Sequence, residues 1–208
     1  MNKRALLAAT LAVLVGGGCA LTSKGEVASI RYFSPSHPSA NRAPRQGARA
    51  ELQLGQVSSA SYLDERIAYR LSSAEVGFYD DRRWTELPEA YLRRALEREL
   101  FEEQGLQRIV TGGGPTLDVE LTAFEELRGK PSKARVTLRF SLHDERRSLL
   151  ERSIDVEREV TAKIGADEAA QLADTLSTTL GDAVVSVARQ VSAELEAAKL
   201  AERAPAAP

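Results

Sequence analysis

The sequence predicts an α+β fold, an antiparallel sheet with two helices packed on one face, preceded by a short signal peptide. Three observations lead there. Between residues 117 and 162, three segments alternate apolar and polar residues with a period of two, the pattern of a sheet covered on one side only. Two other segments, within 87–104 and after Asp167, repeat their apolar residues at spacings of three and four, as amphipathic helices do. The first residues join a positive start to a short apolar run that ends close to Cys19, the one cysteine of the chain.

Lys3 and Arg4 supply the positive start, and Ala5 to Val15 the apolar run. That run is too short to span a bilayer, which takes about 20 apolar residues, and it fits a signal peptide cut before Cys19. Gly16, Gly17 and Gly18 let a peptidase approach the backbone, and the Cys19 thiol is the nucleophile that takes lipid, palmitate among the acyl chains. Gly16 stands where a Leu is usual in such a motif. The competing reading makes Cys19 an ordinary small residue beside another type of cleavage site. A single cysteine, with no partner for a disulfide or a thiol pair, favours lipidation. Each buried methylene contributes about 0.8 kcal/mol and firm anchoring takes more than one acyl chain, which a di- or triacylated cysteine provides. Residue 20 is Ala rather than Asp, so the expected location is the periplasmic face of the outer membrane. The expected domains are the signal peptide 1–18, then 19–48 with the lipidated N-terminus, a first strand and a Pro-rich loop, a single α+β domain 49–200, and a disordered tail 201–208.

Without residues 1–18 the chain keeps 190 residues, enough for one well-buried core. Its 26 basic and 30 acidic residues are well mixed, so neither nucleic acid nor an anionic lipid surface is indicated by net charge. Glu26 to Phe33 alternates loosely as a first strand that joins the sheet, and Ser34 to Gln46, with three prolines, is a loop. Leu52 and Leu54 mark a strand within Arg49 to Val57. Ile67, Tyr69 and Leu71 alternate with Ala68 and Arg70, and Ser72 to Ala74 turns the chain into Glu75 to Tyr79, which predicts a hairpin with Tyr69 in the core.

Leu87 to Gln104 reads as a helix, with Pro88 in its first turn, Leu92, Leu96 and Leu100 on one face, and Gly105 as its stop. Three strands follow around Leu117 to Ala123, Ala134 to Leu142 and Ile154 to Ala162, joined by turns at Gly129 to Ser132 and Asp144 to Ser148; Arg158 falls on the apolar face. Asp167 suits the N-cap of the final helix, whose stripe runs from Leu172 through Val184 to Leu195.

No catalytic constellation emerges. His37 lies in the Pro-rich loop and His143 at the outward-facing end of a strand, and neither has the spacing of a metal site. Gly112 to Gly114 lacks the Lys and Ser/Thr of a phosphate loop and leads into a strand. The pairs Glu102–Glu103 and Glu125–Glu126 read as solvated, because neighbours in a strand or helix point apart. The expectation is a protein that is not an enzyme and has no cofactor and no metal. The segment from Tyr62 to Trp84 is the richest in chemistry, mixing aromatics with Arg and Asp as protein interfaces do. Tyr62, Asp64, Arg70, Tyr79, Arg83 and Trp84 are its candidate partner-binding residues; for Tyr79 and Trp84 a place in the core is the equal alternative.

The same segment resembles the ABC-type transport auxiliary lipoproteins, which accompany transporters with a mammalian-cell-entry (MCE) domain. The resemblance rests on Tyr62-Leu63-Asp64, Ile67 with Tyr69-Arg70, and Arg83-Trp84-Thr85-Glu86 before a Leu- and Arg-rich helix. Cys19 and the strand end Leu54-Gly55-Gln56-Val57 agree with it; Leu87 before Pro88 departs from the usual pattern by one residue. The resemblance implies an accessory role in moving lipids or other hydrophobic compounds between the inner and outer membranes. It implies as partners an MCE-domain protein with its ABC permease and ATPase, the membrane through Cys19, and other copies of the chain. A stand-alone lipid-binding carrier and a structural envelope lipoprotein are the rival readings.

Overall fold

The computed structural model describes residues 29–35, 50–110, 113–161, 165 and 167–203. Residues 1–28 with Cys19, most of the Pro-rich loop with His37, Gly112, Ala162 and residues 204–208 lie outside that description. In chain order the elements are β1 (Arg31–Phe33), β2 (Glu51–Ser59), β3 (Arg66–Arg70), β4 (Val76–Trp84), α1 (Pro88–Glu97) with a π-helical turn Arg98–Glu103, β5 (Gln107–Arg108), β6 (Thr116–Leu127), β7 (Lys133–His143), β8 (Ser148–Glu159) and α2 (Glu168–Arg203). The α+β class is as the sequence predicts. The sheet itself is mixed.

β6 is its axis. One edge of β6 pairs antiparallel with β7, which pairs antiparallel with β8, as the alternation anticipates. The other edge is shared end to end by two shorter strands, β2 along Thr116 to Leu121 and β3 along Glu125 to Leu127, both parallel to β6. Parallel neighbours need a crossover, and here the chain passes through the β3–β4 hairpin and α1 before re-entering the sheet as β6. β1 joins the far edge, parallel to β4. β5, two residues beside the start of β2, has no period to announce it.

The apolar face of the meander is fully used. Leu117, Leu121, Leu138 and Leu142 on the strands meet Leu172, Leu176, Leu180, Val187 and Val191 of α2, all buried. α1 adds Tyr91, Leu92, Ala95 and Leu96. Its π turn widens the last helical turn, keeps Leu100 inward, and ends at Gly105, whose φ of 70° suits glycine. Asp167 caps α2 by accepting from the N–H of Ala169 at 3.0 Å, and Arg158, on the apolar register of β8, turns to Asp182 of that helix. α2 runs through Arg203, so the first three residues of the expected tail are helical.

Two irregularities decide where side chains point. A bulge between Leu121 and Ala123 advances β6 by one residue, so that Phe124 pairs with the core residue Val136 and Glu125 with Arg135 on the opposite face. In β4, Ala68 faces Phe78 while Arg66 faces Arg83, so Tyr79 to Arg82 form an extended bulge in that strand.

Candidate interaction surface

The segment Tyr62 to Trp84 occupies β3, β4 and the link before them, and its partner in space is the second half of β6. Ala68 pairs with Glu125 and Tyr69 with Glu126, so each acidic residue serves a different face of the sheet.

On the face away from the helices, Glu125 is 0% exposed. Arg70 holds it with two bonds, Nε to Oε1 at 2.7 Å and Nη2 to Oε2 at 3.1 Å, and Arg135 donates to it from the neighbouring strand. The two guanidiniums keep 18% and 23% of their side-chain exposure, so the carboxylate is enclosed while its cations still reach water. Tyr62 closes the site, donating to the Thr122 carbonyl at 3.0 Å. Burial, and next the charge of Glu125, pushes the Tyr62 phenol above its ordinary value. Beside it Asp64 accepts from the Arg66 backbone N–H at 2.6 Å and from its guanidinium. Burial opposes ionisation there, but the hydrogen bonds from Arg66 outweigh it and lower the Asp64 carboxyl. The Arg66 guanidinium lies 4.3 Å over the Phe78 ring.

On the face that carries Ile67 and Phe124, Tyr79 packs against the edge of the core and meets Tyr69, which lies beyond it, edge to face with centroids 5.1 Å apart. Arg128 lies 3.5 Å over Tyr69 and Arg82 3.9 Å over Tyr79. The Tyr79 hydroxyl donates to Glu126, which also accepts from Ser132 at 2.6 Å. Burial and the bond to Glu126 push the Tyr79 phenol upward. A Cβ on Gly77 would stand 2.5 Å from the Tyr69 ring, so glycine here lets the ring lie flat across the strand.

The structure corrects three sequence readings. Trp84 is 1% exposed, stacks on Phe124 with centroids 4.8 Å apart and meets Tyr91 edge-on; it belongs to the core and offers no contact surface. Tyr69 lies outside the core, because the hairpin continues beyond the span of the helices, and Leu71 after it is 49% exposed. Glu125 and Glu126 are not a solvated pair: both serve as hubs of the network. Among the other candidates, Tyr62, Asp64, Arg70 and Tyr79 are brought into this network, and Arg83 donates to the Tyr79 carbonyl at 3.3 Å. Sequence reasoning placed Arg66 and Arg82 in the segment without a role and missed Arg128 and Arg135; the one usable sign was Arg135 on the polar register of a strand, and its acidic partner depends on a bulge. His143 is outward-facing as expected, with Nε2 3.1 Å from Asp118. Among the described residues no group of three or more His, Cys, Asp or Glu is placed to hold a metal.

This is the architecture of a small α+β domain that presents ordered aromatic and charged groups on both faces of a sheet end. The chain belongs to the family of ABC-type transport auxiliary lipoprotein components, whose model matches residues 33–188. That family is not a known enzyme family, and as a lipoprotein family it implies a membrane anchor outside the cytoplasm. Solved structures share the fold at low identity. A Xanthomonas campestris protein is 18% identical, covering 82% of this chain and 99% of its own with a TM-score of 0.68. An uncharacterized protein is 19% identical over 79% of this chain and 99% of its own, with a TM-score of 0.61. A hypothetical protein of Chlamydia trachomatis, 8% identical, covers 72% and 99% with a TM-score of 0.51. No curated protein sequence matches.

Proposed function

We propose that this lipoprotein is held by acyl chains on Cys19 at the periplasmic face of the outer membrane. There it serves an ABC transporter with an MCE-domain component that moves lipids or other hydrophobic compounds between the two membranes. Its task in that reading is to dock. The observation that carries it is a pair of bonded clusters on opposite faces of one sheet end, Arg70–Glu125–Arg135 on one and Tyr79–Arg128–Glu126 on the other, which order long cationic and aromatic side chains before any partner arrives. Tyr62, Asp64, Tyr79 and Arg83 are the rim that a partner protein meets. Trp84 supports that rim from below.

The carrier reading is less well supported. It requires a cavity between the sheet and the helices, and there Leu117, Leu121, Leu138 and Leu142 are buried in one core cluster with the Leu and Val side chains of α2. Two concavities, of about 230 and 330 Å³, are open; one is lined by polar sheet residues such as Ser58, Asp118 and Arg139, the other by Arg147, Glu194 and alanines of α2.

The test is a pull-down from solubilised envelopes with the wild-type chain, Cys19→Ala and Arg83→Glu as baits. Recovery of an MCE-domain protein with an ATPase and a permease by the wild type, and a weaker yield with folded Arg83→Glu, is expected. Co-purifying lipid without those proteins would move the assignment to a carrier.

A further inference from the structure

The end of the sheet that receives the incoming chain can be read from register alone. β1 runs parallel to β4, with Arg31 beside Arg82 and Phe33 beside Trp84. Ser29 and Ile30, just before Arg31, therefore lie on the side of β1 that faces the start of β4 at Val76 and the hairpin tip Leu71–Glu75. That tip is level with a second one. Arg70 pairs with Leu127, the Arg128 N–H donates to the Arg70 carbonyl at 2.9 Å, and Leu127 pairs with Lys133, so the β6–β7 turn lies beside it. β8 ends at this level too, with Glu159 opposite Lys133, and Asp167 at the head of α2 pairs with Arg31.

Ile30 is 47% and Leu71 49% exposed. From Leu71 to Ala74 the first tip has no charge before Glu75 closes it, and the second carries Lys130 between Arg128, which pairs with Glu126, and Lys133, which pairs with Glu157. Apolar side chains at a loop tip beside cations are the pairing that suits a bilayer surface, where chains enter the acyl boundary and cations meet lipid phosphates. Ten peptide steps separate Cys19 from Ser29, a tether of at most about 36 Å even when drawn straight. That is no longer than β7, whose 11 residues span about 35 Å.

The geometry points to a membrane-facing end: the tips Leu71–Glu75 and Arg128–Ser132, with Ile30, rest on the phospholipid surface that holds the acyl chains of Cys19. This rests on the proposed lipidation of Cys19. The partner-facing rim around Asp64 and Arg83 then stands beside the membrane, and the β7–β8 turn at Glu145 and Arg146 points away from it.

With Cys19 occupied by lipid, an engineered cysteine is the one free thiol. Acylated full-length Ser73→Cys, Lys130→Cys and Arg146→Cys proteins, each carrying an environment-sensitive fluorophore, are placed in vesicles of phosphatidylethanolamine and phosphatidylglycerol with lipid-borne quenchers. Labels at 73 and 130 are expected to shift to the blue and to quench several-fold more strongly than the label at 146. Intact mass reads the state of Cys19 in the same samples. An unacylated chain overturns the anchor and this orientation together. An acylated chain whose three labels quench alike overturns the orientation alone. Tips left dry in pure vesicles but protected in whole envelopes would assign them to a protein partner and also overturn it.

Discussion

Glu125 illustrates how a charged side chain is tolerated without exposure. Its two oxygens are shared by Arg70 and Arg135, whose donors take the place of water around it. Removing it leaves two guanidiniums facing each other across an emptied site. Glu125→Ala is expected to cost about 3 kcal/mol, the low end for breaking a buried ion pair because both cations still touch water, read as a lower urea midpoint with an unchanged slope. An unchanged midpoint would sink the idea that the triad holds the sheet end. The two tyrosines beside it set an alkaline limit. The folded phenols of Tyr62 and Tyr79 titrate above the ordinary value of 10.0. Their contribution is therefore whole below pH 10 and lost as pH rises through the folded values. Absorbance of tyrosinate near 295 nm should show late-titrating phenols, one fewer in each of Tyr62→Phe and Tyr79→Phe.

Among the elements, β8 carries the most open liability. Its 12 residues pair on one side only, with β7. A long free edge invites pairing with another chain unless its side chains resist. Here Glu151, Asp155, Glu157 and Glu159 stand on the outward register, opposite Ser141, Thr137, Arg135 and Lys133. Lys133 bonds Glu157 at 2.9 Å, and Arg158 on the other face is held by α2. Replacing Glu151, Ser153 and Asp155 together by Val should leave the fold intact by circular dichroism and raise light scattering on heating. A triple variant that stays as monodisperse as the wild type would show that the acidic register does not protect this edge. By contrast, the far edge is short, three residues of β1 against β4, and needs little such defence.

At the scale of the molecule, β1 is tied to the far end of the chain as well as to β4. Arg31 pairs with Asp167 at the head of α2, joining the sheet edge where the chain enters to the helix that covers the opposite part of the sheet. The bond from Arg31 holds the Asp167 carboxyl at about 2, below its ordinary 3.8. A lowered carboxylate contributes stability that is present above the unfolded value and disappears as pH falls toward the folded one. Between about pH 4 and 2 the amides of β1 should therefore lose hydrogen-exchange protection ahead of those in β6 and β7, and Arg31→Ala should show that loss already at neutral pH. Equal protection of β1 and β7 throughout acid titration would remove Arg31–Asp167 from the account.

Read from residues alone, the chain already shows the α+β class, the β6–β7–β8 meander, both helices with Pro88 in a first turn, Gly105 as a stop and Asp167 as a cap, and a family resemblance that the match over residues 33–188 bears out. These follow from period, cap chemistry and motif, all local along the chain. It takes the folded molecule to show that β2 and β3 share one edge of β6 in parallel, that Trp84 belongs to the core while Tyr69 lies beyond it, and that Glu125 is enclosed by Arg70 and Arg135. The physical reason is common to all three. A crossover sets strand direction, the reach of the covering helices sets where the core stops, and a single bulged residue in β6 exchanges the two faces of every side chain after it.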